Sequence, residues 1–364
     1  MLLQINSSRL NNYIQNVIRN RKIELIPKGA KQVRITKLTK LSGGISDSKI
    51  YTFSLVYYEN HKLKELELVL KLYPPNERDK CYNENEVLRT LRAKNFPVPH
   101  VYICEINEEH LGMPFIIMEK IDGTSMGKYL RKASYKEKLE IIKHFAKTLA
   151  FQHSLKLENF ELENLKRPVN EYEYANRQAS SARAIQKNLN IKINFDNIIS
   201  WIESHASIYP CSQHSIIHND IRLDNFLITK EKRIVSIDWE SPEIGDPLKD
   251  VALAYHNLIF LFGFRKLNEG AKLAKFFIYE YARNSKEEVD YHKLRFYVVA
   301  SALIEIFCYR FNCKQTLNPL TFVRKFGLTY LPALPYLSWY FWWRAKNLER
   351  LINTEINYPT LDFV

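Results

Sequence analysis

Residues 214–240 read HSIIHNDIRLDNFLITKEKRIVSIDWE, and the fold turns on this stretch. Its first half, His218-Asn219-Asp220-Ile221-Arg222-Leu223-Asp224-Asn225, carries the pattern H-x-D-x-x-x-x-N. Three fixed positions at about 1/20 each recur by chance in roughly 5% of chains this long, so the string needs its context. Phe226-Leu227-Ile228 and Ile234-Val235-Ser236-Ile237 supply it. They read as two short strands around a polar turn, which places Asp238 at a strand end. The rest of the chain from Ser125 onward is helical in pattern, with a long periodic helix over Tyr135–Leu155, two more within 160–210, and another at Phe296–Phe311.

Two carboxylates and an amide at these spacings suit phosphoryl transfer. That reaction is mostly positioning and electrostatics, because the transferred group carries its charge on oxygens. One carboxylate, Asp220, can orient the attacking hydroxyl. A second, Asp238, and the amide oxygen of Asn225 form an oxygen-rich set of the kind Mg²⁺ prefers. Arg222 lies inside the same loop, where a permanent planar cation can neutralise charge on the moving phosphoryl. The alternative for Arg222 is a loop brace paired with Asp224.

Working outward, residues 1–119 read as a small α+β lobe. Leu10, Tyr13, Ile14 and Val17 follow Ser7-Ser8 at helical spacing, so an amphipathic helix opens it. Strand-like segments follow at QVRITKLTKLS, KIYTFSLVYY and ELELVLKLY, the last two joined by the turn Glu59-Asn60-His61. In the third, Leu66, Leu68, Leu70 and Leu72 alternate onto one face, which leaves Val69 and Lys71 on the other. A helix over Asp79–Asn95 and strands near Val101–Ile106 and Pro114–Glu119 complete five strands; Gly123 then sits in a connector. Ten glycines in 364 residues include one adjacent pair, Gly43-Gly44. With Ile45 and Ser46 it forms a turn between strands, where bare N–H groups can reach phosphate. Lys71 with Glu84 would clamp the α- and β-phosphates of a nucleotide, with Glu86 as the rival partner.

Composition narrows the classes. A 46% apolar and 26% charged chain is an ordinary globular protein, not a disordered or fibrous one. The net charge of +13 favours anionic partners. No element interleaves basic and aromatic residues, so nucleic acid is not expected. Five scattered cysteines without a CxxC pair argue against a disulfide framework or a thiolate zinc site. With no export signal apparent, the expected setting is reducing and cytoplasmic. Phe326–Trp343 holds eighteen residues without a charge, close to spanning length, but contains Pro332 and Pro335. It reads as a core helix or cleft wall, with membrane contact the lesser reading.

The segments LSGGISDSKIYTF, VLKLY, NENEVLRTL, FPVP, FIIMEKIDG, LAFQHSL, HNDIRLDN and IDWESPEIGDPLKDVA, in that order over residues 38–256, together resemble the aminoglycoside phosphotransferase and choline kinase-like family. The resemblance implies a bilobed protein kinase-like α+β fold. An antiparallel nucleotide-binding lobe over 1–119 would join a helical catalytic and substrate-binding lobe over 125–364 through a hinge at 120–124. It makes Lys71 and Glu84 the lysine–glutamate pair, Asp220 the catalytic base, and Asn225 and Asp238 the metal ligands. Counting seven residues back from Leu91, as the family's spacing implies, favours Glu84 over Glu86. The backbone from Glu119 to Ile121 would meet the purine of ATP or GTP, with Mg²⁺ as the metal and a small-molecule hydroxyl as acceptor. Asp246 and Asp250 would be structural, as would His153 and His218.

Two positions depart from the family pattern: Asn219 stands where glycine is usual, and Asp47 where asparagine is common. No protein-kinase activation segment is present, since six residues separate Glu240 from Pro247 and no APE follows. The rival readings are a non-catalytic nucleotide-binding scaffold and a membrane-associated lipid-headgroup kinase.

Overall fold

In chain order the elements are α1 (Ser7–Arg19), β1 (Lys31–Lys40), β2 (Lys49–Glu59), β3 (Lys62–Leu72), α2 (Arg78–Ala93), β4 (Val101–Glu105), β5 (Phe115–Glu119) and β6 (Gly123–Ser125). There follow α3 (Met126–Lys132), α4 (Tyr135–His153), α5 (Glu173–Leu189), α6 (Asp196–Ala206), β7 (Ser215–Ile217), β8 (Phe226–Thr229), β9 (Ile234–Ser236) and β10 (Glu243–Gly245). The helices α7 (Leu248–Ile259), α8 (Leu267–Asn284) and α9 (Tyr291–Thr316) come last. The computed structural model describes residues 7–19, 25–27, 30–41, 48–157, 165–189, 195–263, 266–316, 348–350 and 352–353. Gly43, Gly44, Ile45, Ser46 and the aromatic run Phe326–Trp343 lie outside them.

The chain forms two compact units. The first holds Met1–Tyr129, Glu158–Leu165 and Asp224–Pro242; the second holds Leu130–Leu157, Lys166–Leu223 and Glu243–Val364.

In the first unit, a five-stranded antiparallel sheet runs in the order β1-β2-β3-β5-β4. The β2–β3 hairpin closes where the sequence places its turn. Asn60 and His61 both have positive φ, 49° and 62°, the backbone that a two-residue turn needs to match strand twist. Alternation along β3 holds: Leu68, Leu70 and Leu72 face one core with Phe53, Leu55, Phe115 and Ile117. Helix α1 covers that face with Leu10, Tyr13, Ile14 and Val17, all buried. At roughly 1.5–3 kcal/mol per buried side chain, this stripe holds the helix to the sheet.

The other sheet face carries Val69, Ile116 and Met118, packed with Tyr73 and with Cys81 of α2. Helix α2 ends at Ala93; two residues on, Asn95 with a φ of 59° lets the Phe96 N–H reach the Leu91 carbonyl at 2.9 Å. Strand β1 is irregular. Its pairing with β2 slips between Lys31 and Arg34 and between Thr36 and Thr39, and Gln32 and Lys37 have φ of 53° and 56°.

A three-stranded sheet, β6-β8-β9, completes this unit. Gly123, read from sequence as connector, opens β6 opposite Thr229. A Cβ there would lie 3.0 Å from the Ile228 carbonyl oxygen, which accounts for the glycine.

The second unit is mainly helical. Helix α7 is buried along nearly its whole length and packs against α8 and α9, while α4 packs against α8. A capping box at Ser134 and Glu137 starts α4. The two-stranded β7–β10 ribbon has no signature in the sequence, because three residues per strand are too few to show alternation. No described helix is long and apolar enough to cross a membrane.

Gly245 at the end of β10 lies against the ring of Tyr174, and an added Cβ would sit 2.4 Å from it. Gly245→Ala is expected to destabilise the second unit by about 1–3 kcal/mol, the scale of overpacking a core. Thermal melting checks this. An unchanged melting temperature would show that the ring yields freely.

Candidate active site

Strand alternation sends Lys71 to the α2 face of the sheet, where it is 2% exposed. Its ammonium meets Glu84 at 2.8 and 3.1 Å, Asp238 at 2.5 Å and Glu240 at 3.3 Å. Burial alone would favour loss of the proton. The charges of Glu84, Asp238 and Glu240 outweigh it and hold Lys71 firmly protonated. Burial pushes the Glu84 carboxyl up, and the charge of Asp238 adds to this. Lys71 and a hydrogen bond from Tyr73 pull it the other way. Glu86, the rival partner, accepts from Asn85 at 2.7 Å instead.

The β8–β9 hairpin brings the acids in. The Ile237 N–H donates to the Asn225 carbonyl at 2.9 Å, which holds the residue before Asp238 against Asn225. Asp238 follows in a left-handed conformation, φ 65°, which a non-glycine residue adopts at some cost. Trp239 anchors the loop: it is fully buried, donates from Nε1 to Ser236 Oγ at 3.1 Å, and meets the ring of Phe96 edge-on. Two residues past Asp238 stands Glu240, a site carboxylate that the sequence reading passed over. It accepts from Ser48 at 3.2 Å. An Asp-x-Glu spacing is too common to have singled it out; only the fold shows that it reaches Lys71.

Glu84, Asp238 and Glu240 can present three carboxylate oxygens within 4.8 Å of one another. Glu84 is taken up by Lys71, while the part-exposed carboxylates of Asp238 and Glu240 offer hard oxygen donors of the kind that fits Mg²⁺. Further along, Glu119 ends β5. Its N–H donates to the His100 carbonyl at 2.8 Å and its carboxylate accepts from the His100 N–H at 3.0 Å, bracing β4 against β5. Ile121 is half-buried just beyond it.

The second unit holds Asp220, half-buried in the loop after β7. Asp250 on α7, fully buried, shapes that loop. It accepts from the backbone N–H groups of His218 at 2.7 Å and Asn219 at 2.9 Å, and from the Gln152 amide at 3.1 Å. The ring of His153 lies 3.4 Å away. Burial works to raise the Asp250 carboxyl, yet the hydrogen bonds and charges of His153 and His218 prevail and hold it low.

The departure at Asn219 now has a reason. Its φ is 62°, and asparagine is among the few residues besides glycine that tolerate this region. Its side chain also donates to Glu243 at 3.2 Å. The Arg222 N–H donates to the Asp220 carbonyl at 2.8 Å, while the Arg222 side chain is exposed and makes no ion pair among the described residues. Asp224, its partner in the alternative reading as a loop brace, accepts from Ser125 at 2.7 Å. Asp246 pairs with Lys293 at 2.9 Å and accepts from the Leu248 N–H, a buried anchor for the start of α7.

A model of the phosphotransferase enzyme family matches residues 42–297. The chain belongs to that family. Among solved structures, this phosphotransferase-family chain is similar to a protein from Ralstonia eutropha JMP134 described as an aminoglycoside phosphotransferase. The TM-score is 0.66 at 18% identity, over 97% of this chain and 100% of that one. It is also similar to a choline kinase from Streptococcus pneumoniae, with a TM-score of 0.53 at 14% identity over 94% of this chain and 100% of that one. These likenesses show the kinase-like α+β fold. Among curated proteins, the chain is 28% identical over 208 residues to acyl-CoA dehydrogenase family member 11 of Rattus norvegicus, a match covering 55% of this chain and 26% of that protein. The chain spans about a quarter of the length of such relatives.

Asp250 generates a pH signature. Its folded carboxyl titrates below the ordinary aspartate value near 3.8, so its contribution is present above that value and fades as pH falls through the folded one. Asp250→Asn is expected to lower the melting temperature at neutral pH, since it removes a buried charge that serves several donors. The gap between parent and variant should narrow as pH drops below about 4. A gap independent of pH would show that Asp250 carries no charge in the fold.

Proposed function

We propose that this chain is a kinase that moves the γ-phosphoryl group of ATP or GTP to a hydroxyl of a small molecule. The observation that carries this reading is the buried Lys71–Glu84 pair flanked by Asp238 and Glu240. Burying an ammonium among acids is costly and rarely adds stability, so its presence speaks for an anionic ligand that uses it.

The roles follow from chemistry. Lys71, held by Glu84, contacts the α- and β-phosphates. The backbone of Glu119 to Ile121 receives the purine, and the turn with Gly43, Gly44, Ile45 and Ser46 covers the phosphates. Asn225, Asp238 and Glu240 would hold Mg²⁺. When bound, Mg²⁺ neutralises charge on the β- and γ-phosphate oxygens. Asp220 orients the acceptor hydroxyl and takes up its proton as the oxygen bonds to the γ-phosphorus and the bridging P–O bond breaks. Arg222, exposed beside that base, offers its guanidinium to the moving phosphoryl.

The chain itself joins these groups: the loop from Asp220 to Asn225 passes from the second unit into the first between Leu223 and Asp224. A scaffold would need none of Asp220, Asn225 and Asp238, and their joint retention favours catalysis. The lipid-headgroup alternative rests on residues 326–343, outside the described part of the chain. The basic balance disfavours polycationic acceptors, which call for an acidic pocket.

Two measurements test the reading. Mg·ATP and Mg·GTP are each expected to raise the melting temperature, whereas the free nucleotides should do so less. ADP or GDP release is then followed with sugars, amino alcohols, aminoglycosides and hydroxylated acyl thioesters, the last because the curated relatives are named for acyl-CoA chemistry. Asp220→Asn should keep the Mg·nucleotide shift while cutting kcat by about two orders of magnitude or more. Asp238→Asn should lose both. Full turnover by Asp220→Asn, or normal Mg·nucleotide binding by Asp238→Asn, would overturn the assignment.

A further inference from the structure

Tyr73 stands two residues after Lys71, just past the end of β3, and shares its face of the sheet. It is fully buried. Its N–H donates to the Pro114 carbonyl at 2.9 Å, which fixes the backbone beside β5. Its hydroxyl donates to Glu84 Oε2 at 2.6 Å, the same oxygen that Lys71 approaches at 2.8 Å. The Lys71 ammonium lies 5.4 Å from the centre of the Tyr73 ring, so the three side chains close a triangle. The ring also packs with Cys81, one helical turn before Glu84, and with Ile116 and Met118. Tyr73 thus touches α2 twice, through its ring and through its hydroxyl.

Lysine is a point charge on a flexible stem, free to follow whichever acid is nearest. Three acids compete for it here. The side chains of Asp238 and Glu240 are 30% and 14% exposed, but that of Glu84 is 1% exposed. Glu84 is therefore the fixed member, and its carboxylate orientation decides where the ammonium is held. We infer that Tyr73 is a positioning residue for nucleotide binding, setting the Glu84 carboxylate so that Lys71 is presented to the phosphates. This rests on the nucleotide reading of the Lys71 site.

The plainer account is a buried phenol that needs some acceptor and finds Glu84. The two separate by what a one-atom deletion changes. Affinity for Mg·ATP is measured by calorimetry at a temperature where all variants are folded, for parent, Tyr73→Phe, Glu84→Gln and the double variant. Positioning predicts that Tyr73→Phe weakens Mg·ATP by about 3- to 30-fold in the parent but by less than about twofold once Glu84 is Gln, since residues acting through one contact are not additive. A phenol satisfying only itself predicts a lower melting temperature with Mg·ATP affinity unchanged, which overturns the inference.

If Tyr73→Phe does not fold, a fluorinated tyrosine at position 73 keeps the ring and makes the hydroxyl a stronger donor. A changed Mg·ATP affinity then supports positioning, and an unchanged one overturns it. Lys71→Met keeps the two levels apart. Normal Mg·ATP binding by Lys71→Met removes the nucleotide reading itself. Lost binding there, with parent-like binding by Tyr73→Phe, removes only the role of Tyr73.

Discussion

A lysine at 2% exposure cannot be left alone, and much of the first unit is arranged around that requirement. Taking a lysine out of water costs several kcal/mol, recovered only when counter-charges and hydrogen bonds are well placed. Three separate pieces of chain must therefore arrive together: β3 with Lys71, α2 with Glu84, and the turn after β9 with Asp238 and Glu240. Each is held by ordinary packing. Leu68, Leu70 and Leu72 set the register of β3, and Trp239 seats the turn. The apolar core is what makes the polar cluster possible.

The second unit solves the inverse problem. There a buried acid, Asp250, serves backbone donors that no strand or helix would satisfy. Asn219 in a left-handed conformation turns its N–H toward that acid and leaves Asp220 next in line. One unit thus spends acids on a side-chain cation and the other spends an acid on backbone geometry. Both fix the orientation of groups that would otherwise be loose, which is what an electrostatically driven reaction demands.

How far the sequence could be read depended on the length scale of each feature. The two faces of β3 were legible because alternation over eleven residues is hard to mimic. The choice of Glu84 over Glu86 came from the resemblance in spacing, and the structure supplies its physical reason. Cys81, Glu84, Leu88 and Leu91 share the buried stripe of α2, whereas Glu86 lies off it. Three-residue strands such as β6 and β10 gave no period to detect. Glu240 and the Tyr73 hydroxyl stayed hidden for another reason: their partners are distant in sequence or chosen by side-chain direction. Asparagine in place of the usual glycine at 219 looked like a departure from pattern, and the backbone angle shows it to be a near-equivalent.

Strand β1 adds a consequence of a different kind. Among the described strands it forms one border of the five-stranded sheet, where the Val33 carbonyl and the Ile35 N–H meet the side chains of Gln15 and Asn11 on α1. Lys31, Arg34, Lys37 and Lys40 line it, and two slips in register break its regular repeat. A border so charged and so uneven is a poor template for another strand to zip onto. The same irregularity that spoils its pairing with β2 therefore guards the unit against growing into fibrils, and that protection is independent of whatever the buried lysine binds.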